Sequence, residues 1–101
     1  DTLARHLQLI LDKPELAAFF RPGLEVRTEA TLLDAQGHAH RPDRIVRDGG
    51  VLRVLDIKTG KQEERHKEQV GRYMDLLRTV EGGAVEGFLL YMREGQLVQV
   101  A

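Results

Sequence analysis

Three residues have the types and spacing to do chemistry together. They are Asp43, in the string Arg41-Pro42-Asp43-Arg44, and Asp56 and Lys58, in Val54-Leu55-Asp56-Ile57-Lys58-Thr59-Gly60. Both strings lie in runs that read as β-strands. Residues two apart in a strand share a face, so Asp56 and Lys58 point the same way. Val54, Leu55 and Ile57 demand burial, which takes the Asp56 carboxylate into a low-dielectric setting where it needs a partner. A simple answer is an ion pair with Lys58 or an arginine. A functional answer is a divalent metal held by Asp43, Asp56 and the backbone carbonyl of Ile57. Hard oxygen ligands suit magnesium or manganese, and a metal beside a lysine suits phosphodiester hydrolysis. For Asp43 the simple alternative is a solvated turn in which Arg41 and Arg44 pair with the acid.

The elements that would position these groups follow from periodicity. Leu3, Leu7, Ile10 and Leu11 recur at helical spacing, with Asp1 or Thr2 as a cap. Pro14 opens a second short helix burying Leu16, Phe19 and Phe20, and Arg21-Pro22-Gly23 breaks it. Three strands are expected next, at 24–34, 38–46 and 51–58, turning at Ala35-Gln36-Gly37 and at Arg47 to Gly50. Pro42 confines its strand to an edge, a bulge or a strand start. A helix over 64–80 carries Val70, Met74 and Leu77 on its apolar stripe, and Gly82-Gly83 ends it. Two more strands, at 85–92 and 96–100, close the chain. The expected layout is α/β, in the order α-α-β-β-β-α-β-β, with a mixed sheet.

Gln69 and Tyr73 stand four apart on that helix and therefore on one face; a helix rim with a snorkelling tyrosine is the simple explanation. Gly71 between them costs helix stability, which a close approach to a neighbour or to a phosphate would explain. His38 and His40 alternate on a strand, and exposed hairpin residues explain them better than a metal. Glu29 is an acidic outlier on the first strand, within reach of the site as a supporting residue. Lys61, Arg65, Lys67 and Arg72 cluster at the helix start, either to track a nucleic-acid backbone or to pair with Glu63, Glu64 and Glu68. His66 lies at the same helix start, at the rim of the site.

Size and composition bound the rest. At 101 residues the chain is expected to be one domain spanning residues 1–101. A net charge of −1 excludes nucleic-acid binding by bulk positive charge, so phosphate contact must come from local clusters or bound metal. Zero cysteines exclude disulfides and thiolate zinc sites and fit a reducing compartment, hence an expected cytoplasmic location. No apolar run approaches membrane-spanning length. Because the chain begins with Asp1 rather than Met, it is expected to be a piece of a longer protein.

Together Asp43, Asp56-Ile57-Lys58 and the Gln69 to Tyr73 helix motif, within residues 25–92, resemble the PD-(D/E)XK nuclease superfamily, more narrowly its RecB-like branch. The strings Arg-Pro-Asp-Arg-Ile-Val, Asp-Ile-Lys-Thr-Gly-Lys and His66-Lys67-Glu68-Gln69-Val70 are similar to those of the nuclease modules ending bacterial UvrD-like helicases of the AddA and RecB type. The resemblance implies a restriction-endonuclease-like fold and a Mg- or Mn-dependent deoxyribonuclease, an exonuclease module in DNA repair joined to a helicase region. It implies that Asp43 and Asp56 bind metal and that Lys58 holds or polarises the attacking water or the phosphate. Gln69 and Tyr73 would steady Lys58 and the DNA backbone, and Lys61, His66 and Arg72 would touch DNA. Many RecB-like members add a metal-binding histidine from a helix before the first strand. His6 has no matching local motif, so that helix is expected to lie upstream, leaving a weakly active piece that self-associates through uncovered apolar surface. Rival readings are a DNA-binding or scaffolding domain of the same fold, and a stand-alone or CRISPR-associated nuclease.

Overall fold

Val51–Lys58, an eight-residue run rich in β-branched side chains, forms the central strand β5 around which the molecule is arranged. The computed structural model describes residues 2–28 and 31–100, leaving aside the side chains of Leu3, Ala4 and Leu7. Helix α1 spans Thr2–Leu11; a 3-10 turn at Pro14–Leu16 leads into α2, Ala17–Phe20. Strands β1 (Glu25–Thr28), β2 (Leu32–Leu33), β3 (Ala39–His40) and β4 (Arg44–Asp48) precede β5. Helix α3 (Glu64–Glu81), β6 (Ala84–Tyr91) and β7 (Gln96–Val100) follow it. The main sheet runs β1-β4-β5-β6-β7, with β5 and β6 parallel and the other pairs antiparallel. This is the expected mixed, helix-flanked sheet. Among the described residues no helix is long and apolar enough to cross a membrane.

Two expected strands are each divided. The run 24–34 becomes β1 and β2, on either side of residues 29 and 30, and the run 38–46 becomes β3 and β4. Pro42 lies in the second break and has no N–H to donate, so the ladder between β1 and β4 ends at Thr28 opposite Arg44. Beyond it, β2 and β3 pair only with each other as a small hairpin, Leu32 opposite His40. The interruption matters because Asp43 then sits at the mouth of β4, outside the ladder.

The alternation along β5 divides the core. Leu52 and Val54 face α3, where they pack with Val70, Met74, Leu77 and Leu89. Leu55 faces α1 and α2, with Ile10, Leu16, Phe19 and Val46. Burying each such side chain contributes about 1.5–3 kcal/mol. Helix α3 lies so close to β6 that a Cβ at Gly87 would meet Met74 Sδ and, at 2.6 Å, Val70 Cγ1. By contrast, a Cβ at Gly71 would meet nothing within 4 Å. Close packing to a neighbour therefore does not explain Gly71; the glycine that permits the approach is Gly87, on the strand.

Candidate active site

The same alternation places Asp56 and Lys58 on the α3 face at the carboxyl end of β5, one step beyond Val54. Asp56 is 4% exposed and Asp43 is exposed. The two acids are tied through the backbone: Asp43 N–H donates to Asp56 Oδ1 at 3.3 Å, and Ile57 N–H donates to Asp43 Oδ2 at 2.7 Å. Arg44 is turned away, donating to the Phe19 carbonyl and stacking 4.5 Å above the Phe20 ring. Among the described residues neither Arg41 nor Arg44 pairs with Asp43, so a turn neutralised by its flanking arginines is not what forms. Lys58 Nζ lies 2.9 Å from Asp56 Oδ2 and donates to Gln69 Oε1 at 2.7 Å. Two of its three N–H groups are thereby aimed, and one remains.

Burial drives the Asp56 pKa upward, with Lys58 opposing and Asp43 adding to the rise. Two carboxylates therefore crowd each other, and one of them, Asp56, meets the ammonium. Tyr73, one helical turn after Gln69, is 3% exposed and belongs to the core rather than to a helix rim. Its phenol is pushed up to about 12, chiefly by burial and then by the charges of Asp56 and Asp43. It is a neutral hydroxyl beside the acids.

Beside Lys58 opens a polar cleft of about 210 Å³ lined by Lys58, Arg65, His66, Gln69 and Arg72. His66 is buried, with Nδ1 2.9 Å from the Tyr91 hydroxyl and Nε2 3.4 Å from Glu63. Lys67 faces elsewhere, beside Glu68 and Gly71, and Lys61 is exposed and outside the cleft lining. Tyr91 was not among the candidates; in the parallel register it lies directly beside Lys58, a neighbour that only the pairing of β5 with β6 reveals.

The remaining candidates lie apart. His6 Nε2 is 3.3 Å from the Met92 carbonyl, in an apolar groove on the sheet face opposite Asp56 and Lys58. His38 and His40 approach Asp34 at 3.5 and 3.0 Å, closing the β2–β3 hairpin. The His40 contact first, and then the His38 backbone N–H, which donates to Asp34 Oδ1 at 2.9 Å, lower the Asp34 pKa to about 2. Glu29 and Asp1 lie outside the described residues.

The family model of the PD-(D/E)XK nuclease superfamily matches residues 5–100. The chain belongs to that superfamily. No curated protein matches it in sequence. PD-(D/E)XK proteins are generally nucleases that use divalent metals such as Mg2+, and their restriction-endonuclease-like fold is the one found here. The donor set suits such an ion. Asp43 and Asp56 offer hard oxygens, and one lysine leaves the pair short of positive charge. In a strand the N–H and C=O of one residue point to the same side, so the Ile57 carbonyl faces the side on which its N–H meets Asp43. Among the described residues no three His, Cys, Asp or Glu side chains gather around one point, so water would complete the shell.

Proposed function

We propose that this chain hydrolyses DNA phosphodiester bonds with Mg2+ or Mn2+, as the exonuclease module of a RecB-like, UvrD-type helicase–nuclease acting in DNA repair. The observation that carries this reading is the convergence of Asp43, Asp56, Lys58 and Gln69 at one strand end, beside a basic cleft. Asp43, Asp56 and the Ile57 carbonyl would hold the ion, which when bound neutralises phosphate charge and supplies a nucleophile near neutral pH. Lys58, fixed by Asp56 and Gln69, directs its remaining N–H to the phosphate, where negative charge grows as the bond breaks. Tyr73 keeps water from the inner side of Asp56. Arg65 and Arg72 hold neighbouring phosphates, with His66 fixed at the cleft wall by Tyr91.

A second reading, a DNA-binding or scaffolding domain that does not cut, draws support from the gathering of no more than two carboxylates among the described residues. One experiment separates the two. End-labelled linear DNA and covalently closed circular DNA are incubated with the chain and Mn2+, alongside Asp56→Ala. Mononucleotide release from linear DNA alone, lost in the variant, is the expected result. Binding without cleavage at any Mn2+ concentration would favour the second reading, and cleavage of the circle would remove the exonuclease assignment.

A further inference from the structure

We propose that the Glu63 carboxylate holds the place of a DNA phosphate: Arg65 and His66 form a phosphate subsite in the polar cleft, and Glu63 occupies it until a polynucleotide displaces it. The proposal rests on the DNA reading above and adds a regulation of that same site. Glu63 is the N-cap residue of α3, a position where a side-chain oxygen commonly accepts from the free N–H groups of the first helical turn. Here it makes no such bond. The carboxylate turns instead to donors of the cleft. Arg65 Nε donates to Oε1 at 3.2 Å and Arg65 Nη2 to Oε2 at 3.1 Å, and Oε2 lies 3.4 Å from His66 Nε2. Arg65 and His66 both line the cleft. The Arg65 contact lowers the Glu63 pKa, so the group in this place is an anion.

His66 is set for this role from behind. Tyr91 is buried, and its hydroxyl has one hydrogen-bond partner among the described residues, His66 Nδ1 at 2.9 Å. A buried hydroxyl hydrogen without an acceptor is costly, so Tyr91 donates and Nδ1 accepts. Neutral His66 then carries its proton on Nε2, the nitrogen that faces Glu63. Exposure makes the carboxylate a placeholder rather than a fixed partner. The Glu63 and Arg65 side chains are 48% and 74% exposed, whereas that of Asp56, which holds Lys58, is 5% exposed. A wet pair opens at little cost. The tether decides which anion can open it. A carboxylate on the chain itself competes at an effective concentration on the order of millimolar or above, which one small anion does not match. A polynucleotide that also meets Lys58 and Arg72, in the same cleft, does match it.

The test is the affinity for a short labelled DNA strand, read by fluorescence anisotropy at low salt in EDTA, so that nothing is cleaved. Glu63→Gln should bind about fivefold tighter than the wild-type chain, the upper end of what breaking an exposed ion pair releases. Glu64→Gln makes the same charge change one residue on, at a side chain 3.9 Å from Lys67 and outside the cleft lining, and should gain about twofold or less. In an Arg65→Gln background, Glu63→Gln should lose most of its gain, because no guanidinium is left to release. Circular dichroism checks that each variant is folded. A Glu63→Gln gain no larger than that of Glu64→Gln would reduce the effect to net charge and overturn the placeholder. Weaker binding by Glu63→Gln would show that the carboxylate aligns Arg65 for DNA, and would overturn it as well. So would a gain that survives in full without Arg65. Tighter binding by Glu63→Gln in a chain that never cleaves with Mn2+ would support the placeholder while removing the nuclease reading, so the two can fail separately.

Discussion

The two ends of the central strand β5 treat charge in opposite ways. At its start, four acids meet four arginines. Asp48 takes Arg21 and Arg53, Glu86 takes Arg53, Glu81 takes Arg27 and Arg47, and Arg47 also reaches Glu25. At its finish, Asp56 has one lysine, Lys58, and Asp43 beside it is held by the Ile57 N–H with no side-chain cation among the described residues. The driest of these acids lies at the finish: Asp56 is 4% exposed, whereas the Asp48 side chain at the start is 32% exposed and meets two arginines. A fold selected for stability alone would balance charge most fully where water is excluded, because an unbalanced charge costs most there. Two carboxylates against one lysine at the finish of β5 are what the proposed cation would require. Asp56→Ala is the largest test of that contrast. It should lower Mn2+-dependent cleavage more than ~10³-fold, since it removes both a metal ligand and the anchor of Lys58. Cleavage within tenfold of wild type would erase the distinction between the two ends.

Lys58→Met should come next, at about 10²–10³-fold in kcat, the scale of losing one donor aimed at developing charge. Gln69→Leu should cost less, because Asp56 still holds the ammonium. Steady-state rates at saturating DNA and Mn2+ check both. A Gln69→Leu loss exceeding that of Lys58→Met would mean that the glutamine, not the lysine, meets the phosphate.

Substitution at the matched end should produce the converse pattern. Arg53 bridges Asp48 and Glu86 at the surface, and such pairs contribute about 0.2–1 kcal/mol each. Arg53→Leu should therefore lower stability by roughly 1 kcal/mol, a Tm change of about 4–8 °C in a domain this small, and leave cleavage intact. Differential scanning calorimetry with a parallel nuclease assay measures both. Lost cleavage in a folded Arg53→Leu chain would couple the two ends and undo the comparison.

The contrast was partly legible in the sequence. Period-two alternation was enough to put Asp56 and Lys58 on one face among apolar neighbours, and the three-to-four spacing of α3 aligned Gln69 with Tyr73. Pro42 confined its strand to an edge, a bulge or a strand start, but one strand over 38–46 was expected and the interruption was not. What alternation does not carry is register. The pairing of Tyr91 with Lys58, and through it the anchoring of His66, depends on how β6 lies beside β5, which follows from three-dimensional closure. The arginine network at the other end was illegible for the same reason: Glu81, Arg27 and Arg47 come from a helix end and two strands. Gly71 misled because a helix glycine signals a close approach without saying whether one exists; the contact fell at Gly87.

The smallest expected effect is a dependence of stability on pH. Burial, with Asp43 beside it, holds the Asp56 pKa above its ordinary value of 3.8. The folded chain therefore binds that proton more tightly than the unfolded chain does. Its contribution to stability is complete below pH 3.8 and is lost as pH rises through the raised folded value. In EDTA, Tm should carry a component that falls across this window, and Asp56→Asn, with nothing to titrate, should lack it. Mn2+ binds the ionised form and should restore the loss at neutral pH in the wild type but not in the variant. At the matched end, Asp48→Asn should leave the Mn2+ effect untouched. Thermal melts from pH 3.5 to 8, with and without Mn2+, measure all three chains. An Asp56→Asn chain as strongly stabilised by Mn2+ as the wild type would place the cation elsewhere and leave the crowding of the two carboxylates without a function.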